Sequence, residues 1–113
     1  MSQNLIKNIN FSKVLEMESL VEYAEGQVVS RTLSQGKALS LTLFAFDKGE
    51  EISSHSSHGD AMVYIFDGKS EVTIGEETFE LKKGETIVMP AGVPHSLMAV
   101  EKFKMLLIVV FPQ

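Results

Sequence analysis

Apolar and polar residues alternate over short stretches along most of this chain, and turns rich in glycine and proline separate the stretches. Val28 to Leu33 alternates, Ser34-Gln35-Gly36 reads as a turn, and Ala38 to Phe46 reads as a long strand. In that strand Leu41, Leu43 and Ala45 share one face and Thr42, Phe44 and Phe46 the other, so both faces carry apolar groups. Farther on, Ala61 to Phe66 and Glu71 to Ile74 flank Asp67-Gly68, a dipeptide suited to a tight hairpin because its residues tolerate positive φ. Gly75-Glu76-Glu77 leads into Thr78 to Leu81, and Lys82-Lys83-Gly84 leads into Thr86 to Met89. Pro90-Ala91-Gly92 and Pro94 break the chain again before His95 to Val100, and the closing segment from Phe103 to Phe111 is almost continuously apolar. Short strands with turn signals about every eight to twelve residues, and no long amphipathic helix, predict an all-β sandwich or barrel.

The N-terminal stretch is different. Residues 1–16 carry a weak helical signal, with Asn10 or Ser12 available to cap a short turn before Val14 and Leu15. An irregular arm laid over the barrel is the competing reading. The expected layout is one domain, with an arm over 1–19 and a barrel over 20–113. A strand of a small barrel should alternate inward apolar with outward polar residues, yet Met105 to Phe111 does not. Its outer face therefore needs a cover, either the N-terminal arm or a second subunit. Together with the two-faced strand at 38–46, this favours a homodimer.

Composition narrows the classes of partner. At 113 residues the chain fits one domain with a working core, and 44% hydrophobic with 22% charged residues is ordinary for a soluble protein. Lys and Arg against Asp and Glu give 10 − 15 = −5, and the longest basic run is Lys82-Lys83. A nucleic-acid or anionic membrane surface needs a basic stripe, so neither is an expected partner. No run is long enough to span a bilayer, and MSQNLIKNIN lacks the cationic and apolar regions of a secretory leader. With no cysteine, disulfides and thiolate ligands are excluded, which fits a reducing cytoplasm, the expected location.

The chemistry concentrates in two blocks. All 3 histidines, His55, His58 and His95, lie within Gly49–Gly68 and Gly84–Ala99. In the first block Gly49 is followed by five residues and then His55, and Gly68 closes it; in the second, Gly84 is followed by five residues, Pro90-Ala91-Gly92, two more and His95. These spacings resemble the two motifs of the cupin superfamily, and the resemblance covers about half the chain. It implies a double-stranded β-helix, or jelly-roll, barrel that is usually dimeric. In many cupins such a barrel holds a divalent metal on two histidines and a glutamate of the first motif and a histidine of the second.

Carried over position by position, His55 and His95 stand at the first and last ligand places. Ser57 stands where the second histidine falls, Ala61 where the glutamate falls, and Ala99 where the closing asparagine falls. Alanine coordinates nothing, and a serine hydroxyl is a poor ligand for transition metals. His58 would replace the missing ligand if a bulge at Ser56-Ser57 turned it inward, and Asp60 is a second candidate. A three-histidine site of this kind suits zinc, nickel, iron, manganese or copper and leaves open positions for water or substrate. A solvated surface histidine in SSHSSHGD and a hydrogen-bonded interior His95 are the plainer readings.

The expected pocket adds Met62, Tyr64, Phe44, Met89, Phe103 and Met105 to Ser57, Asp60 and Ala61, with the methionines as lining rather than ligands. The expected function is binding of a small molecule at this histidine-lined pocket, with a divalent transition metal as candidate cofactor. Two alternatives stay open: a metal-dependent enzyme of the dioxygenase, isomerase or decarboxylase type, and a structural or interaction protein with a vestigial site. The sequence names no catalytic residue and no substrate.

Overall fold

The computed structural model describes residues 5–113. Eight strands follow an irregular arm: β1 (Val28–Gln35), β2 (Leu39–Phe46), β3 (Glu51–His55), β4 (Asp60–Ile74), β5 (Glu77–Lys82), β6 (Thr86–Met89), β7 (His95–Met98) and β8 (Phe103–Val110). All pairings are antiparallel. Strands β1, β2, β8, the first half of β4 and β6 make one sheet; β3, β7, the second half of β4 and β5 make the other. The two sheets face each other across a common core as a jelly-roll barrel. Among the described residues no helix is long and apolar enough to cross a membrane.

The expected hairpin at Asp67-Gly68 does not exist. The chain continues through it as one strand of 15 residues. At that point β4 leaves its pairing with β6 and β8 and takes up pairing with β5 and β7. The register against β8 slips between Ile65 and Asp67, and Gly68 has φ 73°. Asp67-Gly68 thus supplies a corner rather than a reversal, and the positive φ that favours a hairpin here serves a bulge.

Alternation decides what each strand buries. In β4, Ala61, Val63 and Ile65 point inward and are buried, whereas Met62 and Tyr64 are 39% and 38% exposed. In β8, Phe103 and Met105 enter the main core cluster with Leu107 and Val109 beside them. One end of the barrel is packed solid. Phe46 and Phe103 stack there with ring centroids 4.4 Å apart, among Val63, Ile65, Val72 and Leu81, all buried.

The arm covers part of the outer face of the larger sheet. Residues 5–16 form no helix: Asn8 and Ser12 adopt φ 61° and 58°, outside the extended conformation that a helix N-cap takes. A single 3-10 turn spans Met17–Ser19, and the first strand begins only at Val28. Residues 1–4 of the expected helical stretch lie outside the described residues. Val21, with Ile9, Leu20 and Tyr23, packs on Leu33, Leu43, Ala45, Phe66 and Leu106. Polar contacts pin the arm: Asn8 Nδ2 donates to the Thr32 carbonyl at 2.7 Å, and Lys104 Nζ, nearly buried, donates to the Glu18 carbonyl at 2.5 Å. Tyr23 Oη donates to Asp67 Oδ2 at 2.6 Å, with the ammonium groups of Lys102 and Lys104 over its ring. Burial, then the hydrogen bond and charge of Asp67, hold this phenol protonated far above its usual range.

Farther along that outer face the described residues of the arm leave apolar side chains exposed. Leu41, Ile108, Met62 and Val88 lie in register across β2, β8, β4 and β6. Leu41 packs on the cluster the arm completes, Ile108 is half-buried, and Met62 and Val88 are 39% and 48% exposed, so the row emerges uncharged from the arm's edge.

Candidate functional site

The end of the barrel opposite the phenylalanine stack is hollow. A cavity of about 350 Å³ lies between the sheets, walled by Phe44, Ile52, Ala61, Met89, Leu97, Met105, Leu107, Val109 and Phe111, with His55, His95 and Ser57 as its polar edge. Among the described residues no Asp, Glu, Lys or Arg lines it.

Local structure brings the two histidines together. β3 and β7 pair so that His55 lies opposite His95, and the register between them slips after Ile52. β7 also pairs with β4 on its other side, with His95 opposite Ile74, so His95 begins a central strand and is only 4% exposed. Gly92, at φ 78°, turns the Pro90–Pro94 loop into that strand, and Gly75 N–H donates to the Pro94 carbonyl at 2.8 Å to fix it. His55 ends an edge strand and is exposed at the mouth. The ring centroids are 4.5 Å apart, edge to face.

Both rings are oriented by their own strands. His55 Nδ1 lies 3.0 Å from the Ser53 carbonyl oxygen and His95 Nδ1 3.2 Å from that of Val93. A carbonyl only accepts, so each neutral ring carries its proton on Nδ1 and leaves Nε2 as a bare acceptor. Burial lowers the His95 pKa below the usual imidazole value; the neighbouring His55 adds to the lowering and the Val93 carbonyl opposes it. At neutral pH this ring is uncharged. Among the described residues His95 Nε2 takes no protein partner, and no side-chain nitrogen or oxygen is sealed from solvent without one. That nitrogen therefore opens on the cavity.

The other sequence candidates divide by position. Phe44, Ser57, Ala61, Met89 and Met105 line the cavity. Phe103 points inward but belongs to the solid end, stacked on Phe46. Met62 and Tyr64 occupy the opposite parity of β4 and face outward. His58 does not turn inward. The strand stops at His55, so no bulge forms at Ser56-Ser57, and the irregularity falls earlier, between Ile52 and His55. The His58 ring lies 5.5 Å from that of Phe111 and lines a shallow surface depression with Asp60, Ala91 and Pro112. Asp60 is committed there too, accepting from the Ala91 N–H at 2.8 Å. Ser57 is a loop fastener: its Oγ accepts from the Gly59 N–H at 3.0 Å and its carbonyl from the Gly92 N–H at 2.8 Å. Ile52, Leu97, Leu107, Val109 and Phe111 were not anticipated, although three of them share Met105's parity in one apolar run.

The donor set fits two metal–nitrogen bonds and not the four-ligand arrangement that the motifs imply. Among the described residues no group of three or more His, Cys, Asp or Glu side chains is placed to hold a metal ion. Ser57 and Ala61 stand at the remaining ligand places.

A jelly-roll barrel with one hollow end, and paired imidazoles at the mouth of an apolar chamber, defines the class. The family model of the cupin domain matches residues 42–111, and the chain belongs to that family. A conserved Streptococcus pyogenes protein of unknown function superposes with a TM-score of 0.97 at 50% identity, over 100% of this chain and 99% of that one. A cupin superfamily protein from Desulfitobacterium hafniense gives 0.90 at 30% identity, over 95% and 98%. A cupin 2 conserved barrel domain protein from Leptotrichia buccalis gives 0.83 at 41% identity, over 85% of this chain and 47% of that one.

Proposed function

We propose that the chain binds a small, mainly apolar organic molecule in the barrel cavity, with His55 and His95 making its polar contacts. The observation that carries this reading is the wall itself: a chamber of about 350 Å³ whose polar side chains, among the described residues, are two imidazoles and one serine. Volumes of ~300–1,000 Å³ with an apolar lining and a few convergent polar groups are what small-molecule sites present.

Ala61 tests it. The residue is 2% exposed on the cavity wall, so Ala61→Phe places a ring in the space a ligand would fill. In calorimetric titrations of chelator-treated protein with small aromatic probes, the wild type binds and the variant binds at least about tenfold more weakly, a loss of about 1.4 kcal/mol. Equal binding by both sinks the reading. Stoichiometric zinc, nickel, iron, manganese or copper in tag-free, chelator-free protein, lost in both His55→Ala and His95→Ala, would replace it with the metal-dependent one. No binding of any kind would leave the structural role.

We also propose that the row Ile108–Met62–Val88, with Met62 and Val88 exposed, seats a second copy of the chain. The row is uncharged and continuous across β8, β4 and β6, so two copies can pair it face to face about a two-fold axis. Light scattering at low micromolar concentration should return twice the chain mass. A monomer mass would refute the dimer.

A further inference from the structure

We infer that the cavity's ligand is an uncharged aromatic molecule carrying a hydrogen-bond donor, a phenolic hydroxyl or its N–H equivalent, which it gives to a histidine Nε2. The inference deepens the small-molecule reading and rests on it. Three observations carry it.

The first is the polarity of the histidine edge. With Nδ1 of both rings turned to the carbonyls of Ser53 and Val93, the ring atoms left for a ligand are acceptors. The one other polar side chain in the wall, Ser57, already accepts from Gly59 and keeps a single hydroxyl proton to give. To satisfy the ring nitrogens a ligand must therefore bring a donor, with the Ser57 hydroxyl proton the one donor these side chains return. An ether or ester oxygen finds two acceptors facing it, and leaves His95 Nε2 desolvated without a partner.

The second is charge. No Lys or Arg lines the chamber, so a carboxylate or phosphate would enter an apolar space with no cation to pair it. No Asp or Glu lines it either, which gives an ammonium group nothing to pair with. A polyhydroxylated molecule such as a sugar needs many more polar partners than this wall contains.

The third is the shape of the apolar surface. Two phenylalanine rings, Phe44 and Phe111, and two thioethers, Met89 and Met105, contribute to one wall. Ring edges and sulfur atoms of this kind favour an aromatic guest over a saturated chain.

The experiment compares three probes of one shape on chelator-treated full-length protein: 4-ethylphenol, 4-ethylanisole and 4-ethylbenzoate. The phenol should bind at least about tenfold more tightly than the anisole, because a site that hydrogen-bonds a hydroxyl rejects the analogue that cannot donate. The benzoate should bind more weakly still. In His95→Phe the phenol loses its advantage over the anisole. Should that variant fold poorly, the wild type gives an independent readout: the His95 Nε2 nitrogen resonance shifts when the phenol is added and stays in place with the anisole. Equal affinity for phenol and anisole, or tighter binding of the benzoate, overturns this inference while leaving a working cavity. Failure of all three probes to bind overturns the cavity reading itself, and this inference with it.

Discussion

Replacing Gly68 with alanine is expected to cost at least about 4 kcal/mol, a loss in the exceptional range for a single substitution. A Cβ added there would lie 1.9 Å from the Lys102 carbonyl oxygen and 2.8 Å from Phe103 Cα, both backbone atoms that no side-chain rotation can move. The residue also has φ +73°, a conformation that costs a residue other than glycine about 1–2 kcal/mol. Domains of this kind are stable by about 5–15 kcal/mol, so the variant should melt on the order of 15 °C lower or fail to fold in the cell. Gly84→Ala separates the two causes. Gly84 has φ +91° and nothing within 4 Å of its added Cβ, so only the dihedral penalty applies and the loss should stay at about 1–2 kcal/mol. Equal melting points for the two variants would show that the close approach at the β4 corner does not matter.

Phe103→Ala should be nearly as damaging, at about 3–5 kcal/mol in chemical denaturation. Phe103 and Phe46 are both fully buried, and their rings stack at 4.4 Å with planes 14° apart. Truncation removes the transfer energy of one ring and opens a void against the other, which the surrounding β-strands are too constrained to close. The damage should be confined to stability. Phe103 does not line the histidine cavity, so under conditions where the variant remains folded its affinity for a cavity probe should match the wild type. A stability loss under about 1 kcal/mol would show that the closed end is not the packed core of this barrel.

Much of this was legible in the chain itself. Gly84, Pro90, Gly92 and His95 sit at spacings that make a turn, a strand and a second turn. The structure uses them that way, so that His95 meets His55 across β3 and β7. Most of the strand set apart from β3 followed from alternation and turn residues, with one misreading that has a physical reason. Asp67-Gly68 carries the local signature of a reversal because glycine accepts positive φ, yet a strand passing close to another backbone places the same demand on that residue. Sequence shows the demand and not which structure makes it. Among the pocket residues Met62 and Tyr64 failed on parity: they and Ala61 cannot all face inward from one strand, and nothing local says which parity is inside. His58 depended on where β3 ends, a matter settled by loop contacts of Ser57 with Gly59 and Gly92. The arm, whose backbone at Asn8 and Ser12 visits positive φ without glycine, follows no periodic pattern and is pinned to the barrel by long-range contacts.

The passage of β4 through both sheets has a consequence for how the molecule comes apart. Strands β5, β6, β7 and β8 all pair with it, so it serves as a shared spine. Neither sheet can dissolve without stripping partners from the other, which binds the histidine mouth and the phenylalanine-packed base into one cooperative transition. Most of these pairings join segments distant along the chain, a topology that slows folding because long loops must close before any contact rewards them.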